Sequence, residues 1–234
     1  MPSQSRAEIA VRPRGASVAI LAALACVMIH GAAAQEIGRL YVSRPPPGSA
    51  FVRIAATTGL APNTKMLVNT TPSALEGSDT ASRYVAVVAN RPVSILVGKT
   101  PTETSLVPLP GKFYTIAIEQ AGQTLAAKVI DEGSGDSNDL KAQLRFFNLT
   151  PDCKAVLRIA EGPAVFDGTD FGDFKSRAIN PVQAKLQADC NAGTAQIELP
   201  QLKSGDHYSL FLRKLNGTMV LSGQFDETEP YREQ

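Results

Sequence analysis

Short segments rich in Val, Ile, Phe, Tyr and Thr recur along the chain, each bounded by Gly, Pro, Asn or Asp, and most alternate apolar with polar residues. A period of two is the pattern of a strand with one buried and one wetted face. It predicts strands over 115–119, 123–130, 141–147, 182–188, 194–199 and 208–213. Beyond residue 34 no stretch keeps a helical period for three turns, so the expected class is all-β.

The pattern also repeats. Ala50-Phe51-Val52-Arg53-Ile54 recurs as Ala142-Gln143-Leu144-Arg145-Phe146, and Ser82-Arg83 through Pro92-Val93 recurs in shortened form as Ser176-Arg177 through Pro181-Val182. Lys112-Phe113-Tyr114-Thr115-Ile116 returns as Asp206-His207-Tyr208-Ser209-Leu210. The offsets are 92 from Arg53 to Arg145, 89 from Pro92 to Pro181 and 94 from Tyr114 to Tyr208. Such a period marks an internal duplication with small loop changes. The expected architecture is two tandem β-sandwich domains, 35–130 and 140–225, each large enough for its own core. Between them Asp131 to Asp139 is polar and rich in Gly and Ser, the composition of a linker. Residues 226–234 read as a loose tail, and Pro45-Pro46-Pro47 as a stiff lead into the first domain.

Composition adds a compartment. Residues 1–34 carry Arg6, Arg12 and Arg14, an apolar run from Ser17 to Ile29, and Ala32-Ala33-Ala34, the form of a secretory signal peptide with cleavage between Ala34 and Gln35. Cys26 raises a lipoprotein reading, but Ala23-Leu24-Ala25 before it lacks Leu at the position such a site prefers. No later run approaches the length of a membrane span. Removing three of 23 basic and one of 22 acidic residues leaves 20 against 21. That balance calls for neither nucleic acid nor an anionic membrane. Cys153 and Cys190 remain, both in the second copy, and in an oxidising compartment the pair reads as a disulfide.

Candidate chemistry is sparse. His207, the single histidine after residue 34, occupies the position of Phe113 in the first copy and reads as an ordinary strand residue. Gly135-Asp136-Ser137 has the form of an esterase nucleophile block, but it lies in the linker, and Ser204 stands where a triad aspartate would precede His207. Asp167, Asp170 and Asp173 lack the alternating oxygens and closing Glu of a calcium loop and suit a turn. The expectation is a non-enzyme with no catalytic residues, metal or cofactor. Phe171 and Phe174, in a turn-rich segment with Phe166, are either core or anchors for a partner. Arg53 and Arg145, recurring within otherwise apolar strands, face water or a partner on this reading.

The stretch Leu40-Tyr41-Val42-Ser43-Arg44-Pro45-Pro46-Pro47-Gly48-Ser49-Ala50-Phe51-Val52-Arg53 resembles the opening of the alginate biosynthesis AlgF family. The resemblance continues through Phe113-Tyr114-Thr115-Ile116, Lys141 to Leu149, and Arg177-Ala178-Ile179-Asn180-Pro181-Val182, covering both halves in order. It implies a periplasmic, noncatalytic adaptor for O-acetylation of an exopolysaccharide, alginate by default or cellulose. Its partners would be periplasmic or membrane-bound O-acetyltransferase proteins, with the polysaccharide as a further one. Two alternatives compete with it. One is a polysaccharide-binding module, for which Tyr41, Tyr84 and Tyr231 would be the aromatic platforms; the other is an acetyl-carrying acetyltransferase component.

Overall fold

The computed structural model describes residues 44–58, 60, 64–121, 124–135 and 140–230, and these form strands and turns without a helix. The expected signal segment, Cys26, the Ala34–Gln35 cleavage site, Tyr41, Tyr231 and Ser137 lie outside them.

The described residues form sixteen strands, in two sets of eight. The first set is β1 (Ser49–Ala56), β2 (Met66–Val68), β3 (Thr71–Ser73), β4 (Val85–Val88), β5 (Ile95–Val97), β6 (Thr100–Thr102), β7 (Phe113–Ala121) and β8 (Thr124–Gly133). The second is β9 (Ala142–Asn148), β10 (Ala155–Ile159), β11 (Ala164–Thr169), β12 (Phe174–Ile179), β13 (Lys185–Cys190), β14 (Gly193–Glu198), β15 (His207–Leu215) and β16 (Thr218–Phe225). One sheet runs β4-β1-β7-β8 and its counterpart β12-β9-β15-β16; the other runs β3-β2-β5-β6 and its counterpart β11-β10-β13-β14. Adding eight to each strand number of the first half reproduces the second, so the duplication is one of topology. The protein is all-β, two tandem β-sandwiches.

Register sharpens the repeat. Val87 pairs Ala50 and Val85 pairs Val52, while Ile179 pairs Ala142 and Arg177 pairs Leu144. Val85 is therefore the counterpart of Arg177, and matching Arg83 to Arg177 by sequence was two residues out of register.

Each sandwich closes over an apolar core, aliphatic in the main and joined in the second by Phe146 and Phe166. In the first, Val52 and Ile54 of β1 and Ile116 and Ile118 of β7 meet Met66, Val68, Ile95 and Val97 of the facing sheet. In the second, Leu144, Phe146, Leu210 and Leu212 meet Leu157, Phe166, Leu186 and Ala188. Cys153 and Cys190 form a disulfide with Cα atoms 5.7 Å apart, tying the start of β10 to the end of its neighbour β13.

The second faces of β1, β7, β9 and β15 are not in water. All eight residues of β1 are buried. Ala55, Ala117 and Ile130 of the first half pack with Phe147, Leu149 and Phe211 of the second. The sheets containing β1 and β9 therefore lie face to face, giving four layers, with the two central sheets covered on both sides. Burial on both faces explains why these strands read as nearly continuous apolar runs.

The linker and the tail differ from expectation. Asp131, Glu132 and Gly133 finish β8 instead of opening a linker, and Glu132 is buried. Asp226 to Glu229, read as loose tail, crosses to the first sandwich, where Tyr84 and Thr228 form a parallel bridge. The Tyr84 N–H donates to the Glu227 carbonyl and the Glu229 N–H to the Tyr84 carbonyl, both at 2.8 Å.

Candidate functional site

The chemistry-bearing side chains of the described chain converge between the two central sheets. Strand alternation puts Ala50, Val52 and Ile54 into the sandwich core, so Phe51, Arg53 and Ala55 point the other way. The same alternation sends Arg145 and Phe147 of β9 into the layer from the opposite side. Parallel pairing places Thr115 beside Arg53 and Ser209 beside Arg145.

Arg53 is fully buried and Arg145 is 3% exposed. This corrects the expectation that both face water or a partner. A buried guanidinium needs a counter-charge and acceptors for its planar fork of donors. Arg53 donates from Nη1 to Asp226 Oδ1 at 2.6 Å, from Nη2 to Ser209 Oγ at 3.1 Å and from Nε to Thr115 Oγ1 at 2.8 Å. Arg145 Nη1 lies 3.2 Å from Glu132 Oε2, Asp226 Oδ2 and the Tyr84 hydroxyl. Tyr84 in turn donates to Glu132, and its ring carries the Arg53 guanidinium 4.4 Å from the centroid.

The cluster is itself duplicated. Thr115 donates to Glu132 as Ser209 donates to Asp226, and both pairs are related by the offset of 94 that relates Tyr114 to Tyr208. Two arginines face two carboxylates, so the formal charges cancel. Burial opposes ionisation of Asp226, but Arg53 and Arg145, with the Ser209 hydroxyl, outweigh it and hold the carboxyl below the usual range. Burial also opposes charge on the two arginines, and Tyr84, Asp226 and Glu132 around them more than compensate. The Tyr84 hydroxyl is pushed well above its ordinary value, first by burial, and stays neutral as a donor.

His207 heads β15 inside this layer, with Nδ1 3.4 Å from Arg145 Nη2. It fills the register position of Phe113, as the repeat predicts. Phe171 and Phe174 meet partners within the chain. Phe174 stacks on Phe147, with centroids 5.3 Å apart. Lys128 of β8 lies 4.9 Å over the Phe171 ring and donates to the Phe171 carbonyl at 2.7 Å. Gly172 permits this contact, since a Cβ there would stand 2.2 Å from Lys128 Cδ.

Of the three aspartates in this segment, Asp170 lies 3.7 Å from Lys154, and its carbonyl accepts from the Asp173 N–H in the turn. Among the described residues no group of three or more His, Cys, Asp or Glu could hold a metal ion. No aromatic side chain among them is exposed, and Tyr84, one of the suggested sugar platforms, is buried.

Sequence reading missed Glu132 and Asp226 because each stands at a polar boundary. The available signal was their matching separation from Thr115 and Ser209.

No family model matches the chain, and no curated protein does. Among solved structures, a Bacteroides fragilis protein named for a suspected role in cell adhesion aligns over 82% of this chain and 87% of its own, at 10% identity and a TM-score of 0.23. A likeness at that level carries no argument.

Proposed function

We propose that this protein is a noncatalytic periplasmic adaptor for O-acetylation of an exopolysaccharide, presenting docking surfaces to acetyltransferase components. The observation that carries the reading is the enclosed cluster. Arg53, Arg145, Glu132, Asp226, Tyr84 and His207, the groups best suited to acid–base work, are turned onto one another between the sheets. They pair side chains of both sandwiches across one buried layer, and such cross-links favour the fixed spacing at which a scaffold holds its partners. The disulfide supports residence in an oxidising compartment. The resemblance carried by 40–53, 113–116, 141–149 and 177–182 supplies the acetylation context.

The test is affinity purification of the tagged exported chain from cells making the polymer, with identification of co-purifying molecules. Recovery of an O-acetyltransferase is the expected result. Polysaccharide recovered without such an enzyme would replace the adaptor by a binding module. A mass increase of the protein after incubation with an acetyl donor would replace it by an acetyl-carrying component.

A further inference from the structure

In the sheet β4-β1-β7-β8, β4 is an edge strand. Val85 and Val87 direct their backbone groups to β1, so those of Tyr84, Ala86, Val88 and Asn90 point outward. The chain's own Glu227–Glu229 segment takes Tyr84, and the Pro108 carbonyl takes the Asn90 N–H at 2.8 Å. Between these two, Ala86 and Val88 present two N–H donors and two carbonyl acceptors with no partner among the described residues. They face a groove of about 570 Å³ between this edge and the β2–β3 turn, lined by Val68, Thr71, Pro72, Val85, Val87 and Glu229 among others.

The duplicated edge is a built-in comparison. At β12, the counterpart of β4, Lys175 and Arg177 are exposed, and charged side chains on an edge discourage further strand pairing. In register Lys175 and Arg177 correspond to Arg83 and Val85, so one of the two charges has no counterpart at this edge; β4 itself, Val85-Ala86-Val87-Val88, carries none, and Val88 is 57% exposed. β12 thus carries two charged side chains, and β4 carries none and keeps Ala86 and Val88 unpaired on its outer side among the described residues.

We infer that the outer edge of β4, from Ala86 to Val88, is a docking site for an extended peptide segment of a partner protein, which adds to the sheet as a further strand. Glu227–Glu229 of the chain itself adds to the same edge at Tyr84, so the edge accepts a parallel strand, and the outward N–H and C=O groups of Ala86 and Val88 offer the next pairing positions to a further extended segment. The lining argues for its composition. Among the described residues lining the groove Glu229 is the single charged one, so the site suits aliphatic side chains at alternate positions in a neutral or cationic peptide, and disfavours a polyanionic sugar chain. The site deepens the adaptor reading by giving it a contact surface, and rests on that reading only for the role of the partner.

The test uses the exported chain and a fluorescein-labelled heptapeptide, Lys-Val-Thr-Val-Thr-Val-Lys, read by fluorescence anisotropy and by amide hydrogen exchange. Saturable binding should slow exchange at Ala86 and Val88. Ala86→Pro, which removes an outward N–H without touching the ladder to β1, and Val88→Lys should each weaken binding by about tenfold or more, while leaving the melting temperature near that of the parent. No saturable binding, or binding indifferent to both variants, overturns the inference. Slow exchange at Ala86 and Val88 in the free chain also overturns it, since the edge would then be filled by the chain itself; so does a concentration-dependent dimer abolished by Val88→Lys, since the occupant would be a second copy. The co-purification result bears on the adaptor reading alone, so the two can fail separately.

Discussion

Arg53 and Asp226 are 173 positions apart and form the closest ion pair of the central layer. Removing one partner of a buried pair leaves the other charged and desolvated, which costs about 3–5 kcal/mol. Asp226→Asn should therefore destabilise the protein by that amount at neutral pH, measured by urea unfolding. The pH dependence follows from the sign of the shift. The folded carboxyl titrates below the unfolded one, so its contribution is complete above the unfolded value and is lost as pH falls through the folded value. Parent and Asp226→Asn should thus converge in stability on acidification, and a constant difference down to strong acid would contradict the assignment. Arg53→Met and Asp226→Asn share one contact, so their effects should be markedly less than additive in a double-mutant cycle.

Among the elements, β1, β7, β9 and β15 decide the architecture. That they are strands, and so the class of fold, was legible from their composition and bounding turns. Their second faces were not, because Arg in an apolar strand satisfies the same pattern whether it meets water or a carboxylate. The three-residue strands β2, β3, β5 and β6 also escaped the reading, being too short to show a period. The disulfide was legible from count and compartment. The separation between its cysteines is 37, and closing a loop of that size stabilises by about 4 kcal/mol in the chain-entropy treatment. Cys153→Ser with Cys190→Ser should lower stability by up to that amount, and reducing agent should reproduce the loss in the parent but leave the double variant unchanged.

Taken whole, the described residues between 44 and 230 belong to one compact unit. The seam is polar as well as apolar. Gln224 Oε1 accepts from the Thr80 and Ala81 N–H groups at 2.9 Å, and its Nε2 donates back to the Ala81 carbonyl at 2.8 Å. With Arg53, Arg145 and Phe147 locked across the same layer, neither sandwich should unfold alone. Calorimetry should give a single transition with a calorimetric to van't Hoff enthalpy ratio of about 1. Ending the chain after Phe225 removes Asp226 and the Tyr84–Thr228 bridge, and should lower the melting temperature and split the transition.

The amino-acid sequence alone carried the strand class, the duplication and the cysteine pair, because each depends on periodicity, spacing or count along the chain. The tertiary structure decided what covers the other face of the central strands, that Glu132 and Asp226 are structural where they resemble linker and tail, and that β4 leaves Ala86 and Val88 unpaired on its outer side among the described residues. The physical reason is range. Alternation records burial within a strand, whereas a counter-charge or an unpaired backbone edge is defined by chain segments far away in sequence.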